Sequence, residues 1–367
     1  MKDPLYIESS SPPRLSVAWV IYDSLEVVSG GTIYDKLIVE GLRARGHAVA
    51  IVALERTDRP SDVREKANDA IARLKKVGDA PPIFVCDELC FPHLPHLPKG
   101  VRRVLLVHHL SLWEREAQLP LTCLREIACV RASETCITTG RTTRTRLRDE
   151  FRIDAAFVPP GADRLLRHQP IDERGATSPG IASATKNAMP PHLLFVGSVT
   201  PRKRVLELME TLARAGNPVH LTLVGSLERD DAYVSKVKAR AKQLATEASR
   251  LSLTFAGEVA DKTLARHYET HDALIVASSL EGYGMVVDEA LSFGLPVLIE
   301  RDAVATETLV EGVNARVFSF ADPSLLFAYL ANRDERRALT ISCRETRANL
   351  PTWSGSVGSF ERVLYAF

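Results

Sequence analysis

Residues 278–298 read SSLEGYGMVVDEALSFGLPVL, and they follow the apolar run ALIVA at 273–277. The run is short and rich in Leu, Ile and Val, which predicts a buried strand. Two glycines then allow a sharp turn: Gly282 and Gly284 have no Cβ, so the backbone can bend and another group can approach closely. From Met285 onward the apolar spacing turns helical, and the N-terminus of that helix points back at the turn. Its first amides lack intrahelical partners, so the strand–turn–helix joint offers an anion site. Two acids, Glu281 and Glu289, bracket it. A plain connection with solvent-facing acids is the alternative reading of the same residues.

Strand–turn–helix units of this kind recur on both sides of the segment. Candidate strands lie at 15–21, 48–54, 82–86, 103–107, 135–138 and 156–158, and again at 193–196, 221–224, 253–255, 273–277, 296–299 and 315–318. Helical periods separate most of them, which predicts an α/β chain with parallel sheets covered on both faces. The helix expected at 32–45 carries Ile33, Leu37, Ile38 and Leu42 as its apolar stripe and stops at Gly46. Between 169 and 191 the sequence becomes QPIDERGATSPGIASATKNAMPP, without apolar periodicity, and reads as a linker. The expected organisation is therefore one Rossmann-like domain over 1–180, a second over 190–345, and a closing helix over 350–367. Ligands in such sheets bind beyond the carboxyl ends of the strands, which predicts a site in a central cleft that the two domains face.

Composition narrows the function further. The 367 residues hold 47 Lys and Arg against 46 Asp and Glu, a net charge of +1, so no global field favours nucleic acid. Six cysteines lack CxxC spacing and read as buried thiols. The first residues, MKDPLYIESSSPPR, place charges and prolines where a signal peptide needs an apolar run, and no stretch of about 18 apolar residues occurs. The expected setting is cytoplasmic, with peripheral contact at the inner face of a membrane left open. The basis for that contact is Arg141, Arg144 and Arg148, one turn apart in RTTRTRLRDEF; the alternative is a solvated helix face. The sequence leaves the oligomeric state open.

The pattern E-G-Y-G-x-x-x-x-E followed by A-L-S-F-G-L-P-V resembles the paired-glutamate signature of retaining GT-B glycosyltransferases of family four. A second match is FVGSVTPRKRV at 195–205, similar to that family's loop of glycine followed by basic residues. The resemblance implies a GT-B fold and transfer of a hexose from a nucleotide sugar, UDP-hexose first and GDP-mannose second, with the anomeric configuration retained. The second domain would hold the donor and the first the acceptor, a glycan, lipid or small metabolite. Glu281 would lie near the hexose hydroxyls and Glu289 would bind the ribose. Backbone around Gly282, Tyr283, Gly284 and Met285 would face the phosphates, as would Gly197 and Ser198, and Lys203 with Arg202 would neutralise the pyrophosphate. One departure is Ser198, where many members have Arg; Arg202 or Arg204 is placed to compensate. On the alternative reading these basic residues form a solvated first turn.

In the first domain SGGTIYD at 29–35 resembles the loop over the donor phosphates, which assigns Gly30 and Gly31. In LLVHHLSLW, His108 aligns with the histidine that the family places near the reacting sugar, with His109 beside it. The pair reads equally as one packed and one solvated histidine. With no Asp-x-Asp anywhere in the chain, no metal is expected, and no other cofactor. Two other classes stay open on the residues alone: a non-catalytic sugar-nucleotide sensor, for which Ser198 would be a sign of decay, and a Rossmann oxidoreductase. Against the latter, no strand is followed by GxGxxG with a later ribose-binding acid.

Overall fold

A computed structural model describes residues 13–26, 29–76, 81–114, 121–169, 190–247, 250–279, 281–303 and 308–367. The chain forms two compact units. The first comprises Met1–Thr138, Thr143–Val158 and Val357–Phe367, the second Thr139–Thr142 and Pro159–Ser356. Most of the stretch read as a linker, 170–189, lies outside the described residues, as do 1–12.

The first unit is built on β1 (Ser16–Tyr22), β2 (Ala48–Leu54), β3 (Ile83–Asp87), β4 (Arg102–Val107), β5 (Thr135–Thr138) and β6 (Ala156–Phe157), all parallel, in the order β2-β1-β3-β4-β5-β6. Every residue of β1, SVAWVIY, is buried, as expected of a central strand covered on both faces. The connecting helices are α1 (Gly30–Ala44), α2 (Pro60–Lys75), α3 (Leu121–Arg131) and α4 (Arg141–Phe151). Helix α1 starts two residues earlier than the spacing predicts, because Ser29 caps it by accepting a hydrogen bond from the Thr32 amide at 3.2 Å. Its buried stripe is also rotated. Tyr34, Asp35, Ile38, Val39 and Leu42 face inward, while Ile33 and Leu37 are half-buried. The Tyr34 hydroxyl fixes that rotation by donating to the Val158 carbonyl at 3.0 Å.

The second unit repeats the plan with β7 (His192–Val196), β8 (Val219–Val224), β9 (Leu251–Gly257), β10 (Ala273–Val276), β11 (Val297–Glu300) and β12 (Ala315–Phe318), in the order β12-β11-β10-β7-β8-β9. Helices α5 (Val205–Ala213), α6 (Asp231–Thr246), α7 (Asp261–Thr270), α8 (Met285–Ser292), α9 (Ser324–Ala331) and α10 (Arg333–Glu345) pack around it. Strand β11 begins one residue later than predicted. Pro296 gives its carbonyl to the Leu274 amide at 2.9 Å but has no N–H with which to join the ladder. The last helix, α11 (Trp353–Ala366), is continuous, and its residues from Val357 onward belong to the first unit. There Phe360 stacks on Trp19 at 5.4 Å between centroids, and Glu361 pairs with His47 and Arg45 at 2.6 and 2.8 Å.

At the amino ends of β7 and β8, far along the sheet from the strand ends discussed below, four histidines gather. His192 lies 5.1 Å from His220 and 6.4 Å from His271, which is 5.3 Å from His267, between ring centroids. Burial pushes the His271 imidazole down to about 4 from its ordinary 6.5, and the neighbouring rings add to the effect. The unfolded chain thus takes up a proton near pH 6.5 that the folded chain resists until about pH 4. The stabilising contribution is complete above pH 6.5 and is lost as pH falls toward 4. Urea unfolding followed from pH 7 to pH 5 should show stability level near pH 7 and falling below pH 6.5, with a slope from this group that approaches about 1.4 kcal/mol per pH unit near pH 5. His271→Gln should flatten that slope, and an unchanged slope would contradict the assignment.

Candidate functional site

In each sheet the strand order reverses beside the first strand of the unit: between β1 and β3 in the first, between β7 and β10 in the second. Connections there leave on opposite faces, opening a crevice at the carboxyl ends of the strands. The residues singled out from sequence collect at these two places, each within its own unit.

In the second unit the loop after β7 carries Gly197, Ser198, Arg202 and Lys203, and the loop after β10 carries Glu281 to Gly284. These segments are about 80 residues apart in sequence, and the β7–β10 pairing makes them neighbours. The Ser279 amide donates to the Arg202 carbonyl at 3.0 Å, locking one loop to the other. Lys203 Nζ forms an ion pair with Glu281 Oε1, and Arg202 Nη1 lies 3.4 Å from Glu281 Oε2. Gly197, with φ of 152°, lets the lysine cross this point, since a Cβ there would stand 3.3 Å from Lys203 Cε. Burial pushes the Glu281 carboxyl up, but Lys203 and Arg202 outweigh it and hold it below its ordinary range. Glu281 is therefore an anion kept in place by two cations, and the cations are held at the mouth of the crevice. Arg204, placed to compensate for Ser198, is committed elsewhere. In the left-handed region at φ 53°, it reaches Glu300 at 3.2 Å and stacks over Phe320.

Gly284, also left-handed at φ 85°, is the N-cap of α8, so its helix starts at the turn as predicted. Tyr283 donates to Asp288, which also accepts from Thr308, so the Tyr283 side chain braces the first turn of the helix. Glu289 is 3% exposed. Arg164 grips its Oε1 through Nε at 3.0 Å and Nη2 at 2.8 Å, while the Tyr268 hydroxyl donates to Oε2 at 3.0 Å. Arg164 in turn binds Asp261 at 2.6 Å. Sequence reasoning missed Arg164 and Tyr268. Both stand outside the glycine-rich motifs, and the only hint was a lone arginine directly after the PPGAD turn at 159–163.

In the first unit Gly30 and Gly31 form the opening turn of α1, at the carboxyl end of β1. A Cβ on Gly31 would sit 3.2 Å from the His108 ring, so the ring of β4's following residue packs directly on that turn. His108 is enclosed by acids. Its Nε2 is 3.2 Å from Asp35 Oδ1 and 3.8 Å from Asp87 Oδ2, and its amide donates to Glu88 Oε2 at 3.0 Å. Burial alone would lower its basicity, yet Glu88, Asp35 and Asp87 together raise it to about 9. His109 instead meets the Trp113 ring edge-on at 5.7 Å. The acids around His108 were not among the residues expected. The available signal was a charged residue, Asp35, three and seven residues before the stripe positions Ile38 and Leu42, and an Asp–Glu pair closing the apolar strand β3.

On α4, Arg141, Arg144 and Arg148 are exposed, with Arg144 paired to Asp154 at 3.1 Å and Arg148 to Asp149 at 2.9 Å. Among the described residues no helix is long and apolar enough to cross a membrane.

Residues 181–333 match the family described as glycosyl transferases group 1. The match falls within the second unit. That segment contains β7 through α9, and so Lys203, Arg202, Glu281 and Glu289, but neither Arg164 nor any of the His108 cluster. The chain is 29% identical over 239 residues to the D-inositol 3-phosphate glycosyltransferase of Nocardia farcinica (strain IFM 10152), covering 60% of this chain and 49% of that protein. It spans about half the length of the curated relatives it matches. Among solved structures it resembles sucrose-phosphate synthase (tll1590) from Thermosynechococcus elongatus, with a TM-score of 0.75 at 19% identity over 96% of this chain and 100% of that one. It also resembles Anabaena Alr3699/HepE in complex with UDP-glucose, with a TM-score of 0.73 at 14% identity over 95% and 100%. The fold is that of the GT-B glycosyltransferases, two parallel six-stranded Rossmann-like sheets.

Proposed function

We propose that the protein is a retaining glycosyltransferase that moves a hexose from a nucleotide sugar to an acceptor such as a glycan, a lipid or a small metabolite. The observation that carries this reading is the Lys203–Arg202–Glu281 group at the switch point of the β7–β10 sheet, within the matched group 1 segment. Two cations there are held by a carboxylate that a bound diphosphate would displace. In the donor complex Lys203 and Arg202 turn to the phosphates, joined by the first amides of α8, and Glu281 is released to accept from hexose hydroxyls. Charge that grows on the leaving diphosphate meets donors already in place, so little reorganisation accompanies bond breaking. The diphosphate then needs no divalent cation of its own. UDP-hexose is the favoured donor, supported by the UDP and UDP-glucose complexes of the HepE neighbour, with GDP-mannose second. His108, with Gly30 and Gly31, is the contribution we propose for the first unit. The proposed setting is the cytoplasm, with α4 as the surface that would touch a membrane's inner face.

A thermal-shift panel of nucleotide sugars with NAD tests the class of ligand directly. UDP-glucose or a related UDP-hexose should raise the unfolding temperature and NAD should leave it unchanged; a shift with NAD alone would overturn the reading. Release of UDP on incubation with the stabilising donor should follow. Binding without any turnover, in donor hydrolysis or with acceptor mixtures, would favour a sensor instead.

A further inference from the structure

We propose that Asp35, Asp87 and His108 form a binding site for a divalent transition-metal cation, Mn²⁺ or Zn²⁺, in the first unit. One carboxylate oxygen each from Asp35 and Asp87 and one ring nitrogen of His108 all lie within 4.8 Å of one another. Ions bound at about 2.0–2.2 Å hold their ligand atoms at about 3–4 Å separations, and the two His108 distances, 3.2 and 3.8 Å, fall in that interval. The three residues come from α1, the end of β3 and the residue after β4, so neighbouring elements of one sheet fix the site before any ion arrives.

A second observation points to a missing ligand. The Asp35 side chain is fully buried, and its Oδ2 has no hydrogen-bond partner. A buried carboxylate oxygen without a donor is unfavourable unless something binds it. The chemistry of the set agrees. Asp35, Asp87 and Glu88 place three carboxyls around one imidazole, a donor set that a bound cation would complete. Glu88 is already occupied by the His108 amide and steadies the backbone at that ligand. Two carboxylates with one imidazole suit Mn²⁺ or Zn²⁺ better than Ca²⁺ or Mg²⁺, which favour all-oxygen shells. His108 retains some solvent exposure and provides the side from which an ion enters. The argument that no metal is needed concerns the donor diphosphate in the second unit; this site lies in the first and outside the matched group 1 segment.

The test uses the full chain, stripped with chelator and without nucleotide. Mn²⁺ is titrated with the free ion followed by electron paramagnetic resonance, and Zn²⁺ by calorimetry. One ion per chain is expected, with proton release as His108 gives up its Nε2 proton. Asp35→Asn and Asp87→Asn keep the shape of each side chain and should each raise the dissociation constant at least tenfold, with circular dichroism confirming the fold. If one variant fails to fold, the other decides. Absence of stoichiometric binding by the unaltered chain, or unchanged affinity in a folded variant, would overturn the site. Neither result depends on glycosyl transfer, so failure here and failure of the proposed function are distinguishable.

Discussion

Lys203→Ala is expected to lower turnover by about 10² to 10³-fold, the magnitude lost when one preorganised charge donor is removed from a developing anion. Lys203 is mostly buried and points across Gly197 toward the crevice, paired with Glu281. Arg202, more exposed and 3.4 Å from the same acid, remains in the variant, so one of the two cations is lost. Two consequences separate this account from metal-assisted departure. Added Mg²⁺ or Mn²⁺ should not restore the variant, and the affinity of the unaltered protein for its nucleotide-sugar donor should be the same in excess EDTA. Steady-state rates and donor titrations on both proteins provide the check. Recovery of Lys203→Ala by manganese would sink this view of the leaving group.

Glu289→Ala should combine two losses. As the proposed ribose ligand it should weaken donor binding more than tenfold, since a charge-assisted hydrogen bond is worth about 1.5–3 kcal/mol. The structure adds a stability cost. Removing this carboxylate takes one of its two acid partners from the largely buried Arg164 guanidinium and leaves the Tyr268 hydroxyl without its acceptor. Because Asp261 still pairs with Arg164, the cost should fall below the about 3–5 kcal/mol of a buried charge left wholly unpaired. A carboxylate has roughly four acceptor positions, and Arg164 and Tyr268 take three of those on Glu289. The remaining one, on Oε2, is what a ribose hydroxyl would use. Glu289→Gln separates the two effects, because it keeps the shape and weakens the charge. A folded Glu289→Gln protein that binds UDP as tightly as the original would remove the ribose role and leave Glu289 as a brace for Arg164.

The alternation of apolar runs with helical periods was enough to place all twelve strands to within a few residues, because burial on both faces demands continuous apolar strands whatever the tertiary detail. Glycines at a strand–helix joint and basic residues after a strand likewise carry their meaning locally, through backbone freedom and charge, so Gly197, Lys203, Gly282, Gly284 and the helix at Met285 were legible. What the sequence did not contain was adjacency. Lys203 and Glu281 meet only because β10 pairs with β7 rather than with β9, and the switch in strand order decides which loops share a crevice. The rotation of α1 by about one residue, set by the Tyr34 bond to Val158, turns Asp35 inward, and β3 and β4 then bring Asp87, Glu88 and His108 to it. Arg164 finds Glu289 across 125 residues of chain. Periodicity fixes which face of an element is buried on average; only the packed sheet decides which charged side chain on that face meets which partner, because a pairing between distant residues leaves no local pattern.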